Sequence, residues 1–124
     1  MPVAMTPLEA IRAVFAAWET GDADALRDLF CEDGVYLDPL KDGPLEGRDA
    51  IVEGNRPAMA AITDCRISIH DGVETSDHGM AEGLFASRLA TGEGRLDFPF
   101  AVVARLRDGR IERLAEYFDT RPLV

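Results

Sequence analysis

The feature that most constrains the fold is a run of four β-type segments in the second half of the chain. Residues 65–75 alternate apolar and polar side chains with a period of two, which is typical of a strand with one buried face. Further strands are expected at residues 80–90, 95–107 and 111–120. The loop at 91–94 and the Asp-Gly pair at 108–109 favour tight hairpins. The sequence therefore predicts an antiparallel meander.

The first half of the chain carries helical patterns instead. Apolar residues recur at helical spacing from residue 8 to residue 18, and Thr6-Pro7-Leu8-Glu9 has the form of a capping box. A second helix is expected over residues 23–31. A third helix is expected from Arg48, with a break or kink near residues 55–56 because Gly54 and Pro57 make it irregular. Helices followed by a meander predict a single α+β domain, residues 1–124.

Composition and charge exclude several classes of partner. The net charge of −10 repels nucleic acids and anionic membrane surfaces, so neither is an expected partner. The chain has no run of about 20 apolar residues and no signal peptide pattern at its start, so a cytoplasmic location is expected. Cys31 and Cys65 are expected to be free and buried. Neither His70 nor His78 has a partner at ligand spacing, so no metal and no cofactor is expected.

The candidate functional residues lie around residues 34–49, a Pro/Gly-rich stretch between the two halves. The residue before a proline favours extended backbone, so Asp38 is predicted to end a short strand. Tyr36 lies two residues earlier and therefore shares a face with Asp38. On the last strand, Glu116 shares a face with two apolar residues, Leu114 and Phe118. If that face lines a cavity, burial would raise the pKa of Glu116.

Three local motifs and the order of the elements resemble the nuclear transport factor 2-like superfamily over essentially the whole chain. The motifs are Gly21-Asp22, then Tyr36-Leu37-Asp38-Pro39 followed by Gly47-Arg48-Asp49-Ala50-Ile51, and Gly109-Arg110-Ile111 leading to Glu116-Tyr117-Phe118-Asp119. The resemblance implies a cone-like α+β barrel, with N-terminal helices packed on a strongly curved antiparallel sheet that encloses a pocket. It also implies a homodimer through the sheet, since apolar residues on the outer face need covering, and Phe85, Val103 and Ile111 are the candidates for that face.

Three enzyme types of this scaffold are similar to the chain. In ketosteroid isomerases the aspartate at the position of Asp38 is the base, and an oxyanion hole completes the site. Val14 and Val102 stand at the two oxyanion-hole positions, and neither can donate a hydrogen bond. In limonene epoxide hydrolases three residues hold the attacking water, and Tyr36, Asp38 and Glu116 match them, with Asp for Asn and Glu for Asp. SnoaL-like polyketide cyclases, which commonly use one acidic residue, are the looser match.

Two hypotheses follow from these residues. In the first, the protein is a cofactor-free enzyme that acts on an apolar small molecule by isomerisation, cyclisation or water addition. Asp38 would be the general base, Tyr36 would orient substrate or water, and Glu116 would be an acid or second carboxylate. The expected substrate-binding wall comprises Val14, Trp18, Phe100, Val102, Leu114 and Phe118.

In the second hypothesis, the protein is a non-catalytic module of the same fold that binds a small ligand or assembles as a dimer. Asp38 would then be a turn residue. Tyr36 would be a core tyrosine with a satisfied hydroxyl. Glu116 would pair with a neighbouring arginine such as Arg88. The residues alone leave both hypotheses open.

Overall fold

Helical segments pack on a six-stranded sheet in the computed structural model, which describes residues 5–121. The elements in chain order are α1 (Pro7–Thr20), a 3-10 helix (Ala23–Leu29), β1 (Phe30–Leu37), β2 (Leu45–Glu46), α2 (Arg48–Ala60), β3 (Ile62–Glu74), β4 (His78–Leu89), β5 (Phe98–Arg107) and β6 (Arg110–Tyr117). The predicted meander is therefore present as β3 to β6.

Helix α1 begins and ends where local chemistry dictates. The Thr6 hydroxyl accepts a hydrogen bond from the Glu9 backbone N–H at 3.2 Å, and the Glu9 carboxylate accepts one from the Thr6 N–H at 2.8 Å. This is the predicted capping box. Gly21 ends the helix in the left-handed conformation, at φ +69°, which glycine adopts without strain.

The next two helical predictions need correction. The segment after α1 is a 3-10 helix that ends at Leu29, because β1 already begins at Phe30. The predicted break near residues 55–56 does not occur, and α2 continues through Pro57 to Ala60. Pro57 lies in the last turn, where a missing backbone N–H removes only one helical hydrogen bond.

The sheet is open, curved and mixed, in the order β2-β1-β6-β5-β4-β3. The four meander strands pair antiparallel, as predicted. β1 pairs in parallel with β6, however, so the sheet is not purely antiparallel. This pairing sets Tyr36 beside Leu114 in register. The helices cover one face of the sheet, and the hydrophobic core lies between them.

The opposite, outer face of the sheet carries exposed apolar side chains, namely Val73, Met80, Leu84 and Tyr117. Met80 lies opposite Val103, which is half-buried on the same face. Phe85 and Ile111, the other two predicted dimer residues, are buried in the core. The prediction that they lie on the outer face is wrong, because the alternation of side chains along β4 and β6 points these two residues inward.

Cys31 and Cys65 are both buried and free. Within residues 5–121, no three His, Cys, Asp or Glu side chains come together in a way that could hold a metal ion. Over the same range, neither helix combines the length and apolar character needed to cross a membrane.

Candidate active site

A cavity of about 290 Å³ lies between the helices and the inner face of the sheet. Its wall is mostly apolar, and its aromatic members are Phe15, Trp18, Phe85, Phe98, Phe100 and Phe118. Three ionisable side chains, Asp38, Lys41 and Glu116, also line it. The volume and the apolar wall with a few polar groups are typical of a small-molecule site.

The aromatic rings hold one another in place. Phe98 stacks on Phe85 with ring centroids 4.7 Å apart, and it contacts Phe118 at 4.4 Å. Phe15 meets Phe100 edge-on at 5.1 Å. These contacts fix the shape of the wall, because each ring is packed against another in a favourable geometry.

The predicted substrate-binding residues divide into two groups. Trp18, Phe100 and Phe118 line the cavity. Val14, Val102 and Leu114 are fully buried in the hydrophobic core and are not among the lining residues. Phe100 and Val102 share the inner face of β5, but only Phe100 lines the cavity and Val102 lies in the core. Alternation therefore predicts which face of a strand points inward, but not how far the cavity extends along the strand.

Asp38 follows the last residue of β1, as predicted. Its Oδ1 accepts a hydrogen bond from the Leu40 backbone N–H at 2.8 Å, and its Oδ2 lies 3.1 Å from the Lys41 ammonium. The Asp38 side chain is only 6% exposed. Asp38 is therefore both a turn residue and part of the cavity wall.

Lys41 is the charged cavity residue that sequence reasoning missed. Its side chain is 16% exposed, and its ammonium lies 5.9 Å from the centroid of the Tyr36 ring. The turn that follows Asp38 folds Lys41 back over the cavity. The only sequence signal was the spacing of three residues between Asp38 and Lys41, which brings two side chains together only if the turn is this tight.

Tyr36 and Glu116 form a hydrogen-bonded pair, in which the Tyr36 hydroxyl donates to the Glu116 carboxylate. They are 80 residues apart in sequence, and the parallel pairing of β1 with β6 brings them together. The alternative that Glu116 pairs with Arg88 is wrong, because Arg88 lies 3.7 Å from Asp64 instead. Glu116 is half-buried as a residue, and its carboxyl group is the enclosed part.

Burial raises the pKa of the Glu116 carboxyl to about 7. The hydrogen bond from Tyr36 lowers this pKa, the charge of Asp38 raises it, and the charge of Lys41 lowers it. The pKa of Tyr36 is raised well above its ordinary value, by burial and by the neighbouring Glu116. At neutral pH, Glu116 therefore exists in both protonation states while Tyr36 remains a neutral donor.

Residues 11–114 match the family of SnoaL-like domains. The chain belongs to the SnoaL-like domain family. No curated protein matches this SnoaL-like sequence significantly. Solved structures do, and they confirm the predicted nuclear transport factor 2-like fold.

Three of these structures illustrate the similarity. A protein with a ketosteroid isomerase-like fold from Catenulispora acidiphila, solved in complex with trimethylamine, is 26% identical over 93% of this chain and 88% of its own, with a TM-score of 0.80. A candidate polyketide cyclase from Pseudomonas putida is 19% identical over 97% and 96%, with a TM-score of 0.81. An epoxide hydrolase from M. tuberculosis, similar to limonene epoxide hydrolases, is 22% identical over 90% and 80%, with a TM-score of 0.73.

Proposed function

We propose that this SnoaL-like protein is a cofactor-free enzyme that moves protons on a small, mainly apolar substrate. The observation that carries the proposal is a carboxyl group with a pKa of about 7, Glu116, in the same aromatic cavity as a second carboxylate, Asp38. Two carboxyl groups whose environments differ can act as acid and base in one site. The reaction class is isomerisation, cyclisation or water addition.

Each group has one role in the proposed reaction. Asp38, whose carboxylate is paired with Lys41, accepts a proton from substrate carbon or from water. Neutral Glu116 donates its proton to a substrate oxygen, because its pKa matches the working pH. Tyr36 keeps the Glu116 carboxyl oriented through their hydrogen bond. Asp38 then returns its proton to the substrate or to water, and Glu116 regains a proton from the substrate oxygen or from water. Both carboxyl groups therefore end as they began, and the cycle needs no oxidant and no cofactor.

The structural neighbours support this class of chemistry. They include a candidate polyketide cyclase and an epoxide hydrolase. Cyclisation and epoxide opening both need a base and an acid close to a substrate oxygen.

The test is proton exchange and turnover with simple substrates. Ketones, 1,3-dicarbonyl compounds and epoxides are incubated with the protein in D₂O, and NMR follows carbon-bound deuterium and new products. Wild-type protein should exchange or convert at least one class. Asp38→Asn should slow this reaction by about 10²-fold or more, the usual contribution of a general base.

Matched variants distinguish the loss of the Asp38 carboxylate from the loss of its ion pair with Lys41. Lys41→Met removes the same Asp38–Lys41 contact but keeps the carboxylate, so it should be less impaired than Asp38→Asn. Asp42→Asn removes an exposed carboxylate from the same turn and should behave as wild type. Equal activity of Asp38→Asn and wild type would end the assignment of Asp38 as base.

A second candidate function is non-catalytic binding of a small ligand. The hydrogen bonds of Asp38 favour this function, because both of its carboxylate oxygens already accept one. It predicts ligands that raise the melting temperature while no substrate class shows exchange or product. Any catalytic turnover by wild-type protein that depends on Asp38 would exclude it.

We also propose that a second copy of the chain covers the outer face of the sheet. Met80 is 52% exposed and Val73 is 63% exposed, and Val103 lies between β4 and β6 on the same face. A contiguous apolar face of this kind is typical of an interface. The expected assembly is a homodimer.

A further inference from the structure

The Glu116 carboxyl lines the cavity but has no cationic partner within residues 5–121. The Tyr36 hydroxyl donates to its Oε1, and among the same residues no other hydrogen bond reaches the carboxyl. Lys41, the only cationic side chain among the described lining residues, is paired with Asp38 instead. Buried charges in proteins are normally paired. The ionised form of Glu116 therefore leaves a place for a cation on its cavity side.

The net charge of the lining depends on the protonation state of Glu116. Asp38 and Lys41 cancel each other, and the other described lining residues, which come from both α-helices and from β3, β4 and β5, are uncharged. The lining is thus neutral when Glu116 is protonated and negative when Glu116 is ionised. A cationic ligand restores neutrality in the second state, whereas an anionic ligand adds negative charge in either state.

The aromatic part of the wall also suits a cation. Six aromatic side chains line a cavity of about 290 Å³, so a cation inside it lies close to several rings. The face of an aromatic ring attracts a cation, and the attraction is stronger where water is excluded. The protein already contains one such contact, since the Lys41 ammonium lies 5.9 Å from the centroid of the Tyr36 ring.

The shortage of open acceptors narrows the kind of cation. A primary ammonium has three N–H donors, and each needs an acceptor when it leaves water. Both carboxylate oxygens of Asp38 already accept hydrogen bonds, from Leu40 and from Lys41. Glu116 is then the carboxylate of the described lining that can still accept. An alkylated ammonium carries one N–H or none, and its alkyl groups match the apolar wall.

We propose that the cavity binds tertiary and quaternary ammonium ions that carry an apolar body, and that ionised Glu116 and the aromatic side chains hold the cationic group. This binding goes beyond the proposed function, which uses the protonated form of the same carboxyl. Uncharged molecules bind with Glu116 protonated, and ammonium ions bind with Glu116 ionised. An ammonium ion should therefore compete with turnover.

The dependence of this binding on pH follows from the two forms. The pKa of Glu116 is about 7, and the charged and titratable groups that act on it are Tyr36, Asp38 and Lys41. A ligand that needs the ionised form binds with an affinity reduced by the fraction of protein in that form. The affinity for an ammonium ion should therefore rise about ten-fold or more from pH 5 to pH 8. Binding near pH 7 should release a proton.

The test compares three probes on the wild-type protein. They are phenyltrimethylammonium, its uncharged carbon isostere tert-butylbenzene, and the primary cation benzylammonium. The fluorescence of Trp18, the single tryptophan, reports binding because this residue lines the cavity. We expect phenyltrimethylammonium to bind more tightly than the other two at pH 8, and about ten-fold or more weakly at pH 5 than at pH 8. The affinity for tert-butylbenzene should not rise with pH.

Glu116→Gln cannot ionise but can still accept the hydrogen bond from Tyr36. It should bind phenyltrimethylammonium about ten-fold more weakly at pH 8 and lose the pH dependence. Asp42→Asn removes an exposed carboxylate from the turn that contains Lys41, and it should behave as wild type. Calorimetry in two buffers with different heats of ionisation measures the released proton, so wild-type protein decides the matter even if Glu116→Gln fails to fold.

Three results would overturn the proposal: no binding of phenyltrimethylammonium, equal affinity for it at pH 5 and pH 8, or tighter binding of tert-butylbenzene or benzylammonium at pH 8. The proposed function is tested independently. Proton exchange or turnover without ammonium binding would refute this inference and leave the enzyme standing. Binding of phenyltrimethylammonium that strengthens with pH, without any exchange or turnover, would do the reverse.

Discussion

Replacing Glu116 with Gln should raise the free energy of unfolding at pH 8 and change it little at pH 5. The pKa of Glu116 is about 7 in the folded protein against an ordinary value of 4.5, mainly because the carboxyl is buried. At about 1.4 kcal/mol per pKa unit, ionising this group in the folded state costs about 3 kcal/mol more than in the unfolded chain. Below pH 4.5 the group is neutral in both states and the free energy of unfolding is not reduced by its ionisation. As the pH rises, that free energy falls, and most of the fall lies between pH 5 and pH 8.

Glutamine cannot ionise, but its side-chain oxygen can still accept the hydrogen bond from Tyr36. The stability of Glu116→Gln relative to wild type should therefore rise by about 2–3 kcal/mol between pH 5 and pH 8. The measurement is urea unfolding followed by circular dichroism at both pH values. Glu93→Gln, in the exposed loop at 91–94, is the control and should show no such change.

The outcome that refutes this reasoning is a difference between Glu116→Gln and wild type that is the same at both pH values. It would mean that the Glu116 carboxyl ionises as easily in the folded protein as in water. The proposed acid would then have no proton to give at neutral pH, and the proposed function would lose the observation that carries it.

Two further predictions concern the same pair and the outer face of the sheet. Tyr36→Phe should raise the pKa of Glu116, because it removes a hydrogen bond that favours the carboxylate, whereas Asp38→Asn should lower it, because it removes a like charge. Carboxyl ¹³C NMR titration checks both, and shifts in the same direction would contradict the assigned causes. Met80→Lys should convert the expected dimer to monomer at micromolar concentration in sedimentation velocity, with Ala16→Lys on the exposed side of α1 as control; a wild-type monomer would contradict the proposed interface.

Much of the fold followed from local chemistry. The capping box at Thr6 and the Asp-Gly turn at 108–109 each define an element boundary through hydrogen bonds within a few residues. Period-two alternation also identified the inward face of β6, and with it Glu116. These signals are local, so one sequence contains them in full.

What the sequence could not provide is pairing between distant segments. The parallel contact of β1 with β6 joins Tyr36 to Glu116 across 80 residues, and no local pattern states which strands will neighbour each other. Lys41 enters the site only through the conformation of its turn. Phe85 was placed outward because its strand alternates too weakly to fix the phase.

The surroundings of Glu116 support its proposed role as a proton donor. Leu114, on the same face of β6, and Phe118, directly after the strand, are apolar, and an apolar side chain at position 116 would avoid the cost of a buried ionisable group. Tyr36 cannot be the reason for the carboxylate, because a neutral acceptor would satisfy its hydroxyl equally well. A group that reduces stability at neutral pH, titrates near 7 and lines a cavity has the properties of a proton donor.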